Sequence, residues 1–483
     1  FYNSFVIFWV SGSTYGYKSE TIMSKLKLWS VFVLVVLVKT TAAQPDTLVL
    51  SLRDAREYAL SHNKQLLNAK EDIAITESQY KQQLATGLPQ VNGNMDYMTN
   101  FNYEVEFSFG GGTTEPPDIN YNLLDEGDEE ILRFLNELMT PAGPSTIKME
   151  DQLNAQVRVT QLLFSGQFWV GLEIAKIARG LSEKQVEKTG IDVKEEVTNT
   201  YYLILVSEES LEIINRNLEN LKETLNHTRN MYEAGVVEKS DVDQIRMNVS
   251  LLQNTLESTR RNVQLSYNML KIQLGLDQQK DIRLVDDLSV LLEEAETGLL
   301  GAPLDPQNNL TYQLMDYQEQ MQEERVDLEK WSYAPTVSGF YSYTEKIMTT
   351  GFDLSPKNAA GLTLALPIYS GGLRKARVDQ ARIELDKTRR NKSLLEDQLK
   401  LQENQLKFEL RSAMDNYRTQ KENVAVAQSV YDSYYNKYKQ GMVSSLDLTQ
   451  ANNNYLQAEN NYISSVLNVL QASLALEKLY NTL

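Results

Sequence analysis

The stretch Tyr232-Glu-Ala-Gly235-Val-Val237 returns later in the same chain as Tyr438-Lys-Gln-Gly441-Met-Val443, displaced by 206 residues. Asp241 and Gln244 return as Asp447 and Gln450 at the same displacement. Self-similarity kept in register marks one structural unit used twice. Further out, Phe164-Ser165-Gly166 matches Tyr369-Ser370-Gly371 at a displacement of 205, and Leu88-Pro89-Gln90-Val91 matches Ala334-Pro335-Thr336-Val337 at 246. The surplus of 41 residues falls between the two strand-like segments of the first copy, over residues 108–150. Gly110 to Gly112, Pro116, Pro117 and the acids from Asp125 to Glu130 read as a long solvated loop, with a short helix expected over Glu130–Met139.

Each copy has the same plan. A helical run (Leu50–Thr86; Pro306–Trp331) ends at a proline-containing break. Two strand-like segments follow, near 88–107 and 151–164 in the first copy and near 335–348 and 358–370 in the second. Then come a very long helical run, a glycine-centred turn and a second helical run. The first repeat is expected over 44–275 and the second over 306–483. Between them lies an irregular connector, 276–305, punctuated by Gly298, Gly301 and Pro303.

The strands alternate as half-buried strands do. Leu153, Ala155, Val157 and Val159 share one face, with Asn154, Gln156, Arg158 and Thr160 on the other. Val91, Met95 and Tyr97 oppose Asn92, Asn94 and Asp96. Val337, Gly339, Tyr341 and Tyr343 oppose Ser338, Ser342 and Thr344, and Leu362, Leu364, Leu366 and Ile368 align on one side. Strands of about ten residues, apolar outside and polar inside, have the length and pattern of transmembrane barrel strands. A soluble four-stranded sheet packed on helices would alternate in the same way. Four strands cannot close a barrel, and hydrocarbon tolerates no open edge, so a membrane reading requires several copies; three give twelve strands.

The helices carry the clearest period. Ala451, Tyr455, Ala458, Tyr462, Ser465, Val469, Ala472, Leu476 and Leu479 alternate spacings of 4 and 3. Shifted back by 206, the frame gives Ile245, Val249, Leu252, Leu256, Thr259, Val263, Ser266, Leu270 and Gln273. This is coiled-coil seam geometry. Gly166 to Tyr232 and Gly371 to Tyr438 contain no proline, and each would span ~100 Å as continuous helix at ~1.5 Å per residue.

Bulk composition narrows the chemistry. The 483 residues include no cysteine and only two histidines, His62 and His227, so thiolate and histidine metal sites and histidine-base catalysis are poorly supplied. A net charge of −18 argues against nucleic acid. No catalytic residue, metal site or cofactor motif stands out, and the chain reads as a non-enzyme. From Met23, a basic start (Lys25, Lys27), an apolar run Leu28 to Val38 and Thr41-Ala42-Ala43 read as an export signal over 23–43, with an uncut membrane anchor as the alternative. Residues 1–22 read as an extension outside the fold.

The doubled strand–strand–helix–turn–helix plan resembles the TolC-type outer-membrane efflux proteins over about residues 46–483. So do the aromatic-Ser-Gly joins at Gly166 and Gly371, and the paired Tyr-x-x-Gly turns followed by Asp241 and Asp447. The resemblance implies an α+β membrane protein: a homotrimer whose twelve-stranded barrel in outer-membrane lipid continues into a long α-helical coiled-coil barrel crossing the periplasm of a Gram-negative-type bacterium. It implies an exit channel of a tripartite efflux pump or type I secretion system. The partners would be a periplasmic adaptor protein and, through it, an inner-membrane transporter. The tips at Tyr232–Gln244 and Tyr438–Gln450 would be the periplasmic entrance, with Asp241, Asp447, Tyr438, Gln244 and Gln450 as gate candidates. Tyr232, Gly235, Val237, Gly441 and Val443 would form the turns that meet the adaptor. For both aspartates, ordinary capping of a helix N-terminus is the other reading, weaker for Asp447 than for Asp241. Some relatives carry arginine where this chain has Val443 and an acid where it has Gln450, so a charged latch does not carry over. Closure is expected to rest on Asp447, Tyr438 and packing. A structural or adhesive envelope coiled coil without a lumen is the other class.

Overall fold

Two antiparallel helical hairpins, one per repeat, carry the length of the molecule. In the computed structural model, which describes residues 47–101, 103–107, 125–139, 145–148, 150–297, 303–348 and 355–483, the first hairpin is α4 (Gly166–Glu233) and α5 (Lys239–Gln273). The second is α8 (Leu373–Lys439) and α9 (Ser445–Tyr480). The N-terminal extension, the export signal, most of the acidic insertion and the connector glycines Gly298 and Gly301 lie outside the described residues. At 68 residues, α4 runs ~100 Å. It packs against both α5 and α9, and α9 packs against α8, so the four lie in the order α5–α4–α9–α8.

The seam frames explain that packing. Ile245, Val249, Leu252, Leu256, Val263, Ser266 and Leu270 are buried in α5, as are Ala451, Ala458, Ser465, Val469, Leu476 and Leu479 in α9. Fully burying each leucine or isoleucine contributes ~1.5–3 kcal/mol. Small seam residues let the helices approach closely. Among the described residues no helix is long and apolar enough to cross a membrane.

The two shorter helical runs depart from the sequence reading, and at matched positions. The first is broken at Asn63 into α1 (Leu52–His62) and α2 (Lys64–Ala85). The second is a 3-10 turn (Pro306–Asn308), then Asn309, then α7 (Leu310–Trp331). Each asparagine leaves the helical region and accepts, through its side-chain oxygen, the N–H groups two and three residues on. Each amide also donates to the last turn of its own repeat's hairpin: Asn63 to the Gln273 carbonyl at 2.7 Å, Asn309 to the Leu479 carbonyl at 3.0 Å. The two asparagines are separated by the same 246 residues as the proline breaks.

The connector is more ordered than its composition implies. Ile282–Leu284 (β6) pairs in parallel with Leu48–Leu50 (β1), and a helix α6, Leu288–Thr297, follows. Leu284, Leu291, Leu292 and Ala295 bury into the principal core with Tyr201, Leu270 and Leu474. Burial of these side chains outweighs the local turn formers.

The main sheet has the order β2 (Gln90–Met98), β5 (Gln152–Phe164), β7 (Thr336–Met348), β8 (Asn358–Ala365), antiparallel throughout. Three strand readings need correction. β8 stops at Ala365, short of 370, because Pro367 has no N–H to continue the ladder. The first strand breaks after Met98, at a turn where Phe101 takes φ +51, and resumes as β3, Glu104–Phe107. β3 pairs with β4, Ser145–Lys148, so the end of the stretch read as a plain loop is a strand that returns to pair just ahead of where the insertion begins. Within it α3 spans Glu126–Met139, longer than expected because Asp125 accepts the N–H groups of Gly127 and Asp128 and starts the helix early.

Replacing Asn63 or Asn309 by Ala removes a cap and a buried amide bond together. Each is expected to cost ~1–2 kcal/mol, read as a lower urea midpoint. Asn63→Asp, which keeps the cap but loses the donor to Gln273, falls between. Midpoints equal to wild type in both Ala variants would mean these residues do not hold the hairpin ends.

Candidate functional site

The helix-turn tips bring together most of the residues singled out from the repeat. Both turns need a left-handed residue to reverse the chain, and Gly235 (φ +74) and Gly441 (φ +68) supply it without a Cβ penalty. The matched apolar residues next to them, Val236 and Met442, point outward at 63 % and 65 % exposure. Val237 and Val443 are half-buried, and Tyr232 is largely exposed.

The two aspartates begin alike and end differently. Asp447 forms a capping box with Ser444, accepting its hydroxyl at 2.7 Å and its N–H at 3.1 Å while donating its own N–H back to the hydroxyl. Those bonds hold its exposed carboxyl below the usual carboxylate range. Asp241 likewise accepts the Glu238 N–H at 3.0 Å at the start of α5. Its other oxygen takes the hydroxyl of buried Ser445 on the opposite tip, a short bond linking the two hairpins.

Tyr438 is buried to 1 % exposure, between the hairpins. Thr228 donates its hydroxyl to the Thr224 carbonyl at 2.8 Å, so Tyr438 must be the donor in its 2.7 Å bond with Thr228. Burial, reinforced by the nearby Asp241 charge, pushes the Tyr438 phenol up. Further hairpin-to-hairpin links are Asn217 to Glu459 at 2.7 Å, Tyr435 to Glu223 at 3.2 Å and Asn248 to Thr449 at 3.3 Å. Tyr431 stacks on Tyr435 and Tyr455, and burial raises it to about 12. Of the glutamines, Gln244 is half-buried, and Gln450 is exposed and donates to Asn454 along its own helix. Neither is engaged in the Asp241–Ser445 bond.

The two strand-to-helix joins share a motif for different reasons. A Cβ on Gly166 would lie 2.0 Å from the Trp331 ring, so glycine there permits helix-to-helix contact. Gly371 and Gly372 instead take φ of +61 and +87 to turn the chain into α8. Thr228, Ser445, Asn63 and Asn309 were not picked out from the sequence. The asparagines were accessible through the 246-residue displacement. Ser445 was not, because its repeat partner is Lys239.

Among the described residues the fold is a doubled antiparallel helical hairpin joined to a four-stranded antiparallel sheet with two unpaired edges. The chain belongs to the outer membrane efflux protein family, whose model matches residues 55–276 and 307–482. No curated protein matches the sequence. Among solved structures it is similar to the outer-membrane protein VceC of Vibrio cholerae, with 15 % identity and TM-score 0.64 over 89 % of this chain and 95 % of that one. CusC gives 13 % and 0.67 over 89 % and 91 %, and the CmeC outer-membrane channel of Campylobacter jejuni 14 % and 0.66 over 89 % and 85 %. At these identities the likeness is one of fold.

The depressed Asp447 value sets a pH window. Its cap stabilises fully above the unfolded carboxylate value of about 3.9 and is lost as pH falls through the lower folded value. Amide exchange at the start of α9, corrected for intrinsic rates, is therefore expected to be equal at about pH 7 and about pH 5, accelerating only below about pH 4. Acceleration by pH 5 would contradict the capping role. Tyr438→Phe removes one buried donor worth ~0.5–1.5 kcal/mol, so amides near Thr228 should exchange about 2- to 12-fold faster; unchanged rates would leave that bond without a stabilising role.

Proposed function

We propose that three copies of this chain assemble into an outer-membrane exit channel. Its sheets would form a twelve-stranded barrel in lipid and its helices a tunnel through the periplasm. The observation that carries the reading is a pair of unsatisfied flanks on opposite sides of one chain. Among the described residues, β2 and β8 each have a strand neighbour on one side only. In the helical layer α8 is outermost on one flank, and on the other α5 is outermost toward the tips and α2 toward the sheet. Apolar side chains lie exposed on each: Met247, Leu251, Leu265, Met269 and Ile272 on α5, Leu67, Ile75 and Leu84 on α2, and Ile383, Leu394, Leu401, Phe408 and Val426 on α8. Exposed stripes at near-heptad spacing are interaction faces. Joining α8 and β8 of one copy to α5 and β2 of the next is a head-to-tail contact, which closes into a ring when the rotation divides the circle. The outward apolar residues Val91, Met95, Leu362 and Leu364 support lipid contact for the closed sheet.

In this assembly the tips are the periplasmic entrance. Opening separates the two hairpins of each chain, so the Asp241–Ser445 and Tyr438–Thr228 bonds act as its latch. Val236 and Met442, the outermost apolar residues of the matched turns, are the contacts for an adaptor protein. Through it an inner-membrane transporter would deliver substrate, as an efflux pump or a type I secretion system does. Family membership supports the outer-membrane location.

The test is twofold. Detergent-solubilised protein should have the mass of three chains and give discrete conductance steps in planar bilayers. Leu401→Glu with Phe408→Glu should leave helix content intact while abolishing the trimer and the conductance. Trimers without conductance would return the chain to an envelope spacer. A monomer would sink the assembly.

A further inference from the structure

Among the described residues the polar face of the sheet carries two strand cations, Lys346 toward the end of β7 and Arg158 in mid-strand; Arg158 is built in. Arg158 is the central residue of the 13-residue strand β5. Its cross-strand neighbours on the same face are Asn92 of β2 and Ser342 of β7, both neutral. Ser342 is buried while its neighbours Tyr341 and Tyr343, on the opposite face, are exposed at 48 % and 38 %. The guanidinium lies over the Phe340 ring, 4.6 Å from its centroid. Phe340 is an aromatic on a mainly polar face, and room is made for it: a Cβ on Gly361 would lie 2.9 Å from the ring. Arg158 is itself exposed, and among the described residues no carboxylate pairs with it. The nearest acid of its face by register is Asp96, opposite Asn154 and four residues along the strand. That is roughly 13 Å at ~3.3 Å per residue, beyond a Debye length of about 8 Å.

We propose that Arg158 and Phe340 form a selectivity ring inside the barrel, favouring organic anions that carry an aromatic plane. The inference rests on the trimeric barrel reading. Three copies put three guanidinium groups at one level of the lumen, with no acid of the described strands at that level to cancel them. A guanidinium held on an aromatic ring keeps its N–H edge available for a carboxylate and is less hydrated than an ammonium. The aromatic part of the ligand finds the Phe340 ring and the guanidinium plane beside it. A +3 ring in a confined lumen raises local anion concentration and repels cations.

The experiment uses the full chain in planar bilayers, with reversal potentials in a KCl gradient and 2-naphthoate as blocking probe. Arg158→Ser should raise the potassium-to-chloride permeability ratio by at least about twofold relative to wild type and abolish naphthoate block. Arg158→Gln, closer in volume, provides the same readings should the Ser variant fail to assemble. Arg158→Lys should keep the permeability ratio yet weaken block, since an ammonium neither forks nor stacks. Phe340→Leu should weaken block and leave the ratio unchanged. Conducting neutral variants with wild-type permeability ratio and wild-type block would overturn the ring while leaving the channel reading intact. A wild-type protein that never conducts would overturn the channel reading and the ring with it.

Discussion

A sheet with an apolar outer face and two free edges makes demands that one chain cannot meet. Val91, Met95, Leu362 and Leu364 are exposed on that face, which favours transfer into hydrocarbon. The edges of β2 and β8 forbid that transfer, because each unpaired backbone group would cost several kcal/mol there. Water satisfies the edges but not the face. Pairing with further copies satisfies both, and it imposes one rotation on everything attached to the strands. In the proposed assembly that rotation would bring the exposed stripes of α5 and α8 of successive copies together. The helical layer thus follows from a constraint that originates in the sheet.

Duplication explains which features agree between the halves and which do not. Asn63 and Asn309 do the same work at matched positions, each tying a short helix to the end of its own hairpin. Such a contact lies within one repeat, so it survives copying. The tips differ because their link runs between repeats. Ser445 donates to Asp241, but the residue matched to Ser445 is Lys239, which is exposed and offers Asp447 no equivalent hydroxyl. One hairpin therefore holds the other asymmetrically. Asp447 stays engaged with Ser444 on its own helix.

The long helices, their seams and the strand alternation were legible because each follows from a period, and periods persist in sequence. Boundaries set by a single residue were less so. Pro367 ends β8, and its meaning depended on recognising that a ladder N–H was needed there. The order within the connector was hidden, since β6 is a strand only because Leu48–Leu50 lies beside it. At the tips, spacing singled out Asp241, Asp447 and Tyr438 but not their partners. Thr228 and Ser445 meet those residues across helices more than 200 positions apart in sequence. Phe340 was passed over for a related reason. A lone aromatic on a polar face breaks alternation, and its purpose emerges only when the register places Arg158 above it and Gly361 beneath.

The distribution of charge gives the proposed duct two elements that act separately. The chain is strongly acidic overall, at −18, and Asp241 and Asp447 stand at the tips. Arg158 stands in the sheet, beyond the far end of a 68-residue helix. Their separation of ~100 Å exceeds the Debye length of about 8 Å by an order of magnitude, so neither field reaches the other through solution. Packing does not couple them readily either, because the tip bonds join α4, α5, α8 and α9 near their turns, whereas Arg158 lies over the Phe340 ring within the sheet. In the proposed duct, opening of the tips would therefore leave the sheet's selectivity unaltered. The two properties can change independently, one by altering hairpin-to-hairpin bonds and the other by altering a cross-strand pair.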